Sequence, residues 1–442
     1  MKRRLVLTLS VVLATFIVFI NSGKAAEEVP TEILVGSNSP LTGMFAGFGT
    51  GGTWGIKAAV EDINKLGGVS VNKYGKKIPI KLITVDNESD PGKSGTLEEE
   101  LILRHKVHFL SDPNAPVTLS IPQADIADKH KVPRTSGGCP GEPWLSLRRD
   151  VKPSFQYSWT HCFMIATPAP KGWYADKPGY TIMNTWAAML EKFGGQTNKK
   201  VGVFASDEPD GRAWYALFPP ALKKLGYEVI GIEEKLGLVP MDTTYFSSLI
   251  KKWKDSQVEI LWGNSPSHVF ATMWRQARAQ GFKPKMASIG RAALFYTEVN
   301  AWGGDLPEGV GTEIWWDSSF QNSPGIGTTT PKSLTERWTK ETGQPLNPAI
   351  GWGYTEFQIL VDAIQRAGTL DREAVNKALS ETDMMTIDHH IKFDKEHHAY
   401  NPLVYGQWRK VDKPWKWECP VIFSQHDFIK ATAKPIFPIP YK

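Results

Sequence analysis

Residues 33–68 decide the fold, and they read ILVGSNSPLTGMFAGFGTGGTWGIKAAVEDINKLGG. The stretch opens on a short apolar run, residues 33–36, that predicts a buried strand. A glycine-rich loop follows, and from about Trp54 apolar residues recur at the spacing of one helical face. Gly67 and Gly68 end this helix, as glycines often do. The apolar face consists of Ile56, Ala59, Val60 and Ile63.

The same alternation of strand and helix continues along the chain. A second strand is predicted over residues 78–85, and Asp90 with Pro91 then supplies a helix cap and a first helical residue. Repeated units of this kind predict mainly parallel sheets flanked by helices. The remaining predicted strands cover residues 107–110, 132–135, 155–159, 201–205, 228–232, 258–262 and 286–289.

Two similar α/β lobes are predicted rather than one long sheet. The chain has 442 residues, more than one common core holds, and residues 201–289 repeat the rhythm of the first part. Crossings between the lobes are expected at residues 160–179 and 307–312. We predict a signal peptide over residues 1–26, a lobe 1 that consists of residues 27–160 and 311–370, and a lobe 2 that consists of residues 161–310 and 371–442.

The first residues are typical of a signal peptide. Three basic residues at 2–4 precede an uncharged apolar run over residues 5–20 and then small residues. The run is shorter than the roughly 20 residues of a membrane-spanning helix, so cleavage near Ala25 or Ala26 is predicted. An uncleaved anchor is the alternative. No cysteine follows the run directly, so a lipid anchor is not indicated.

Charge argues against two classes of partner. The formal net charge is +5, and the basic residues of the leader account for most of it. The mature chain is therefore close to neutral and has no electrostatic footprint for nucleic acid or an anionic membrane surface. The 17 tryptophans suit either a buried core or a ligand cleft.

Three cysteines, Cys139, Cys162 and Cys419, are too few for a disulfide scaffold. Export would permit one bridge, and Cys139 with Cys162 is the favoured pair because both lie near the predicted boundary of lobe 1. Three buried free thiols are the alternative. Nothing resembles the paired spacing of a zinc site.

Residues 47–52 satisfy the G-x-G-x-x-G pattern of dinucleotide-binding folds. In those folds the glycines follow the strand directly, with an acidic residue roughly 20 positions on. Here a loop intervenes, and Asp62 comes too early and Asp86 too late. The P-loop lysine is also missing, so no nucleotide cofactor is predicted.

Histidines cluster at residues 389–390 and 397–398. Two interpretations of these histidines are a metal site and a polar surface turn, and the surface turn is favoured. No G-x-S-x-G nucleophile motif occurs, and the acidic residues are scattered along helices. No catalytic residue, cofactor or metal site is therefore predicted.

Several stretches spread over nearly the whole mature chain share one resemblance. They are SPLTGMFAGFG (39–49), GIKAAVEDINKLGG (55–68), DNESDP (86–91), ADIADKHKVP (124–133), MWRQARAQG (273–281), IKFD (391–394) and HHA (397–399). In this order they resemble the leucine/isoleucine/valine-binding protein family. The resemblance implies a type I periplasmic binding fold, with two α/β lobes, three interlobe crossovers and a ligand gripped in the cleft between them.

The resemblance also implies ligand contacts at matching positions. Thr118 takes the place of a family hydroxyl, and glycines at the third contact loop allow close backbone approach. Each contact has a structural alternative: the glycines serve a turn, Phe48 belongs to the core, or Arg291 lies on the surface. The implied contacts are Phe45, Phe48, Asn114, Thr118, Ser136, Gly137, Gly138, Cys139, Asp207, Asp210, Asn264, Ser265, Ser267 and Arg291.

One departure from the family bears on the ligand. Its amino-acid binders place a carboxylate opposite the ligand ammonium after the strand at residues 286–289, where this chain has Gly290 and Arg291. An arginine prefers an anion. Unless Asp207 or Asp210 binds the ammonium, an aromatic or aliphatic carboxylate is expected instead of an α-amino acid.

The function implied is that of a periplasmic, monomeric, non-enzymatic solute-binding component of an ABC transporter. It would deliver a small amino-acid-like or organic carboxylate to the permease and ATPase subunits at the membrane. Two alternatives stay open, a ligand-sensing protein of a signalling system and an exported hydrolase. Substrate turnover would distinguish the hydrolase from a binding protein.

Overall fold

The computed structural model describes residues 29–150, 155–321 and 323–441. The predicted signal peptide lies outside the described residues. Within them the chain forms two α/β lobes, each with a mainly parallel sheet flanked by helices, which confirms the predicted fold class.

The first lobe is built on a six-stranded sheet whose strands all pair in parallel. Parallel pairing brings the carboxyl ends of these strands to the same edge of the sheet. In spatial order the strands are β16 (His398–Tyr400), β7 (Ser158–Cys162), β6 (Arg134–Cys139), β5 (Phe109–Pro116), β1 (Ile33–Ser39) and β4 (Ile80–Asp86).

The second lobe is built on an eight-stranded sheet. Its strands pair in parallel except at β17 (Val404–Gln407), which runs antiparallel to both of its neighbours. In spatial order the strands are β10 (Leu238–Val239), β8 (Lys200–Ser206), β11 (Ile260–Ser265), β12 (Met286–Arg291), β13 (Gly311–Ile314), β17 (Val404–Gln407) and β20 (Val421–Phe423), with β9 (Glu228–Ile230) beside β8. Three short ribbons complete the strands: β2 (Val69–Val71) with β3 (Lys76–Ile78), β14 (Asp383–Met385) with β15 (His390–Lys392), and β18 (Arg409–Lys410) with β19 (Trp417–Glu418).

Helices cover the sheets, and several begin where the sequence indicates. Asp90 caps the second helix by accepting a hydrogen bond from the Lys93 amide at 2.8 Å, with Pro91 as first residue, as predicted. The helices are α1 (Ala46–Lys65), α2 (Pro91–Leu103), α3 (Val117–His130), α4 (Gly141–Asp150), α5 (Ile182–Phe193), α6 (Pro209–Lys224), α7 (Ser247–Asp255), α8 (Ser267–Ala279), α9 (Tyr296–Asn300), α10 (Pro331–Thr342), α11 (Ala349–Ala367) and α12 (Arg372–Ser380).

The glycine-rich segment before Trp54 is part of α1, which starts at Ala46, and is not the predicted loop. Two glycines, one in each helix, permit close packing of α1 against α11. A Cβ atom at Gly55 would collide with the carbonyl oxygen of Ile350, and one at Gly353 would collide with that of Gly52. This close contact offsets the poor helix propensity of glycine.

The chain crosses between the lobes after β7, after β13 and between β16 and β17. Residues 311–314 lie in the second sheet and residues 398–400 lie in the first. The second and third crossings therefore come later in the chain than the predicted lobe boundaries at 310 and 370. The reason is that β13 and β16 are only four and three residues long, and a strand this short does not specify by its own sequence which sheet it joins.

The disulfide predicted between Cys139 and Cys162 is present, with Cα atoms 5.6 Å apart, and Cys419 is free. The bridge joins the carboxyl ends of the neighbouring strands β6 and β7. It therefore ties a predicted contact loop to the first crossing between the lobes.

Replacing both Cys139 and Cys162 with serine is expected to lower the free energy of unfolding by about 3 kcal/mol. The cross-link spans a sequence separation of 23, and its loss frees the unfolded chain. Chemical denaturation with and without a thiol reductant measures the effect, and Cys419→Ser is the control that should stay sensitive to reductant. An unaltered unfolding curve of the natural chain in reductant would contradict this.

The first lobe also contains a buried ionic network around Arg134, whose side chain is fully buried. Its Nε donates to Asp112 Oδ2 at 2.5 Å, and Glu98 Oε1 lies 3.8 Å away. Its terminal nitrogens donate to Gln123 Oε1 at 2.7 Å, Ser136 Oγ at 3.0 Å and Ser120 Oγ at 3.2 Å. One guanidinium thus joins β5, β6 and α3 beneath the cleft.

The histidine cluster is partly interior, which corrects the expectation of a surface turn. His389 and His398 are buried, and burial lowers the pKa of His398 to about 3. Nε2 of His389 lies 3.1 Å from the Tyr400 carbonyl oxygen, and the His398 ring meets the Tyr400 ring with centroids 4.5 Å apart. Across the described ranges, no group of histidine, cysteine and acidic residues is arranged to hold a metal ion, and no helix is long and apolar enough to cross a membrane.

Candidate functional site

Strand ends from both lobes and residues of two crossings enclose a small space, which we call the interlobe cavity. Its volume is about 20 Å³. The residues that line it are Phe48, Pro116, Cys139, Pro140 and Phe163, then Asp210, Trp214, Asn264, Arg291 and Leu294, and finally Glu313 and Trp315.

The parallel sheets bring these residues together. Asn264 and Arg291 lie at the ends of β11 and β12, and Pro116 and Cys139 are register partners at the ends of β5 and β6. Ligands of open α/β sheets bind outside the carboxyl ends of the strands. Both sheets therefore present their binding edge to the interlobe cavity.

Aromatic rings form much of the wall. Trp315 stacks on Phe48 and on Phe163, with ring centroids 5.7 Å apart in both pairs. Trp214 meets the edge of Phe163 at 6.5 Å. All four rings are buried, so they exclude water and strengthen any charge interaction inside the cavity.

The second lobe supplies a cluster of charges. Nη2 of Arg291 donates to Glu208 Oε1 at 2.9 Å, and Nη1 lies 3.2 Å from Asp210 Oδ2. Asp210 accepts hydrogen bonds from Asn264 Nδ2 at 2.9 Å and Trp214 Nε1 at 3.0 Å. Burial raises the pKa of Asp210 to about 6, against the opposing charge of Arg291.

Arg291 keeps unused hydrogen-bonding capacity although its exposed fraction is 5%. Its Nε and Nη1 have no partner with hydrogen-bond geometry among the described residues. Each of these nitrogens can donate a charge-assisted hydrogen bond to a single carboxylate oxygen. Arg291 also has φ of 55°, a left-handed conformation that costs about 1 kcal/mol outside glycine, so the surrounding contacts hold it there.

Glu313 is a second buried polar group on the cavity wall. Its side chain comes from β13, 1% of the residue is exposed, and its Oε1 has no hydrogen-bond partner in the described part of the chain. Burial raises the pKa of Glu313 to about 8, and the charge of Asp210 adds to the rise. Glu313 is therefore mostly a neutral carboxylic acid at pH 7.

Glu313→Gln is expected to remove a pH-dependent loss of stability. The natural residue keeps its proton in the folded state up to pH about 8 but loses it in the unfolded state near its ordinary pKa of 4.5. The unfolding free energy of the natural chain should therefore fall between these pH values, relative to the variant, by at most about 1.4 kcal/mol per pH unit.

Chemical denaturation of both proteins at pH 5, 7 and 8.5 measures this difference. The control is Glu336→Gln, since the Glu336 side chain is 66% exposed beside Lys332. A constant difference between Glu313→Gln and the natural chain across these pH values would contradict the prediction.

Five of the residues implied by the family resemblance line the interlobe cavity: Phe48, Cys139, Asp210, Asn264 and Arg291. The cavity brings them together from both lobes.

Four other implied contacts of the first lobe lie nearby but have structural partners. Phe45 packs on the Phe48 ring at 6.3 Å. The Ser136 hydroxyl accepts from Arg134 Nη1 at 3.0 Å, and the Gly138 amide donates to Thr160 Oγ1 at 3.0 Å. Gly137 leaves no room for a Cβ atom beside Glu356.

The remaining implied contacts lie away from the cavity wall. Asn114 is buried at the end of β5, and Thr118 is the second residue of α3. Asp207 pairs with Arg212 at the surface. Ser265 ends β11 and donates to the Pro266 carbonyl, and Ser267 accepts from Trp302 Nε1 at 2.9 Å. A ligand role for these residues stays a prediction.

Several cavity residues have no counterpart in the sequence-based expectations, namely Pro116, Pro140, Phe163, Trp214, Leu294, Glu313 and Trp315. One signal could have found Trp214, because it lies four residues after Asp210 on the same helical face. Phe163 and Trp315 directly follow β7 and β13, where the chain leaves a sheet to cross between lobes. Nothing in the sequence marks Glu313.

A family model described as periplasmic binding protein matches residues 32–413, most of the chain. The chain belongs to the periplasmic binding protein family. A Leu/Ile/Val-binding protein homolog of Brucella abortus is 24% identical to this family member over 386 residues, covering 86% of the chain and 91% of the relative.

Solved structures of other proteins share the fold of this periplasmic binding protein. A leucine-binding protein of Thermotoga maritima superposes with a TM-score of 0.69 at 19% identity, covering 89% of this chain and 99% of its own. A solute-binding protein of an ABC transporter from Rhodopseudomonas palustris, in complex with 3,4-dihydroxybenzoic acid, has a TM-score of 0.67 at 19% identity, with 91% and 99% covered. These likenesses confirm the two-lobed fold.

Proposed function

We propose that the protein is the extracytoplasmic solute-binding component of an ABC transporter and binds a small amino-acid-like or organic carboxylate between its lobes. The observation that carries the proposal is Arg291, a buried guanidinium on an aromatic cavity wall whose Nε has no partner among the described residues. A carboxylate oxygen can accept a charge-assisted hydrogen bond from this nitrogen.

The two-lobed architecture supports a binding role rather than catalysis. Each lobe contributes half of the wall, so movement about the three crossings can admit a solute and then remove it from water. Such a clamp releases its ligand unchanged. A similar protein was solved with a dihydroxybenzoate, which supports a carboxylate as the kind of ligand.

Whether the ligand carries an amine depends on Asp210. This carboxyl already lies beside Arg291, so an amino acid would find a partner for its ammonium and one for its carboxylate. A ligand without an amine would use Arg291 alone. The screen should therefore pair each amino acid with the carboxylic acid that lacks its amine.

A thermal-shift screen of the mature protein against amino acids, aliphatic acids and aromatic acids tests the proposal. A true ligand at about 100 times its dissociation constant should add about 2.7 kcal/mol of stability. Calorimetry should then show one ligand per chain, and chromatography should recover the ligand unchanged. Conversion of the ligand into a product would show an exported hydrolase instead.

Delivery to a membrane partner is a separate part of the proposal. The mature protein should lie in the periplasm after cleavage of its signal peptide, as a monomer that contacts permease and ATPase subunits. Deleting the gene should abolish uptake of the identified ligand in whole cells. Normal uptake with a lost transcriptional or chemotactic response would show a sensor.

A further inference from the structure

A large groove adjoins the interlobe cavity beside β13, where the chain makes its second crossing between the lobes, and we call it the hinge groove. It has a volume of about 600 Å³ and lies between α10 and the strands of the C-terminal segment. Much of its wall is apolar and comes from Ile314, Pro345, Leu346, Trp408, Trp415 and Pro420.

The hinge groove and the interlobe cavity have two wall residues in common, Leu294 and Glu313. Another groove of about 770 Å³, beside α8 and α9, has none of the cavity residues in its wall within the described chain. The hinge groove is therefore the space into which a molecule in the interlobe cavity can continue.

In this arrangement of the lobes, the interlobe cavity is too small for a whole ligand. A cavity of about 20 Å³ holds one or two water molecules, so it accepts the head group of a ligand but not its body. The hinge groove is large enough for a body of many atoms. Its apolar walls would remove a hydrocarbon chain from water.

The polar groups at the junction agree with this arrangement. Glu313 is buried and its Oε1 is unpartnered in the described structure, so the junction offers a hydrogen bond. At the rim, Lys413 pairs with Glu418 at 2.6 Å. Asp317 on the groove wall is a second buried carboxyl, and burial raises its pKa, which favours its neutral form.

We infer that the ligand is a carboxylate with an elongated, largely apolar body, its head group beside Arg291 and its body passing Leu294 and Glu313 into the hinge groove. This inference rests on the proposed function. It adds the class of solute, since a short amino acid would leave the groove empty.

Calorimetry with butanoate, hexanoate, octanoate and decanoate tests the inference on the mature protein. The affinity should rise roughly fourfold for each methylene group until the groove is filled. Equal affinities for all four acids would overturn the inference and leave the proposed function standing. If none of the four acids binds but an amino acid or an aromatic acid does, the inference fails and the proposed function stands, whereas the proposed function fails as well if no carboxylate of any class binds.

A variant tests whether the hydrocarbon chain of the ligand lies in the hinge groove. Leu346→Trp adds bulk to a half-buried groove residue outside the interlobe cavity. It should weaken octanoate binding at least tenfold and leave butanoate unchanged. Leu225→Trp is the matched control, because Leu225 is 41% exposed on the end of α6. Unchanged octanoate binding in Leu346→Trp would overturn the inference.

Discussion

Arg291→Gly is expected to weaken the binding of a carboxylate ligand at least about a hundredfold. The guanidinium is buried among aromatic rings, and its Nε has no partner in the described structure, so a ligand carboxylate would accept a charge-assisted hydrogen bond there. Removing one member of such a buried pair costs about 2–5 kcal/mol, which corresponds to this loss.

Glycine is chosen because the backbone at this position is left-handed, with φ of 55°. Glycine adopts that conformation without strain, so the variant removes the side chain and retains the backbone of the strand end. Arg291→Lys, which retains the charge but not the fork, should recover only part of the affinity.

Arg212→Ala is the control, since the Arg212 side chain is 61% exposed and pairs with Asp207 outside the cavity. Isothermal titration at pH 7 measures all three variants, with circular dichroism to establish that each is folded. Full affinity in folded Arg291→Gly would remove Arg291 from the binding site.

Arg134→Met is expected to lower the free energy of unfolding by about 3–5 kcal/mol. The substitution leaves Asp112 and Glu98 in the interior of the first lobe without the cation that now faces them. It also removes hydrogen bonds to α3. Methionine fills much of the same volume, so the loss reports the charge and not a large cavity.

Urea denaturation at pH 7 measures this loss. The control is Arg104→Met, because the Arg104 side chain is 76% exposed beside Glu100, and surface pairs of this kind contribute about 0.5 kcal/mol or less. Equal effects of the two substitutions would contradict the interpretation that the buried network stabilises the first lobe.

The strands were predictable in place but not in length. The runs at residues 132–135 and 286–289 predict strands that the structure extends to Cys139 and to Arg291. The extra residues are serines, glycines and other types that disfavour strands in isolation. They continue the strand because pairing with the neighbouring strand satisfies their backbone groups. These added residues lie nearest the interlobe cavity.

For the glycine-rich segment, the secondary structure predicted from the sequence is wrong. Glycines at residues 47–52 predict a loop by propensity, and the structure makes them the first turns of α1. Contacts with distant parts of the chain hold these residues: the Cβ position of Gly47 faces Phe295, that of Gly51 faces Asn347, and that of Gly52 faces Pro113. Local propensity of about 1 kcal/mol per glycine is outweighed by such packing.

The sequence by itself determined the alternation of strands and helices and the two lobes, which follow from local periodicity and residue type and need no knowledge of distant neighbours. It left the Cys139–Cys162 bridge open against three free thiols, and the structure decided for the bridge. Tertiary structure alone decided that Glu313, Leu294 and Trp315 share one wall, and which sheet β13 and β16 join. The reason is that a cavity wall is assembled across crossings, and no spacing along the chain encodes which distant residues will face each other.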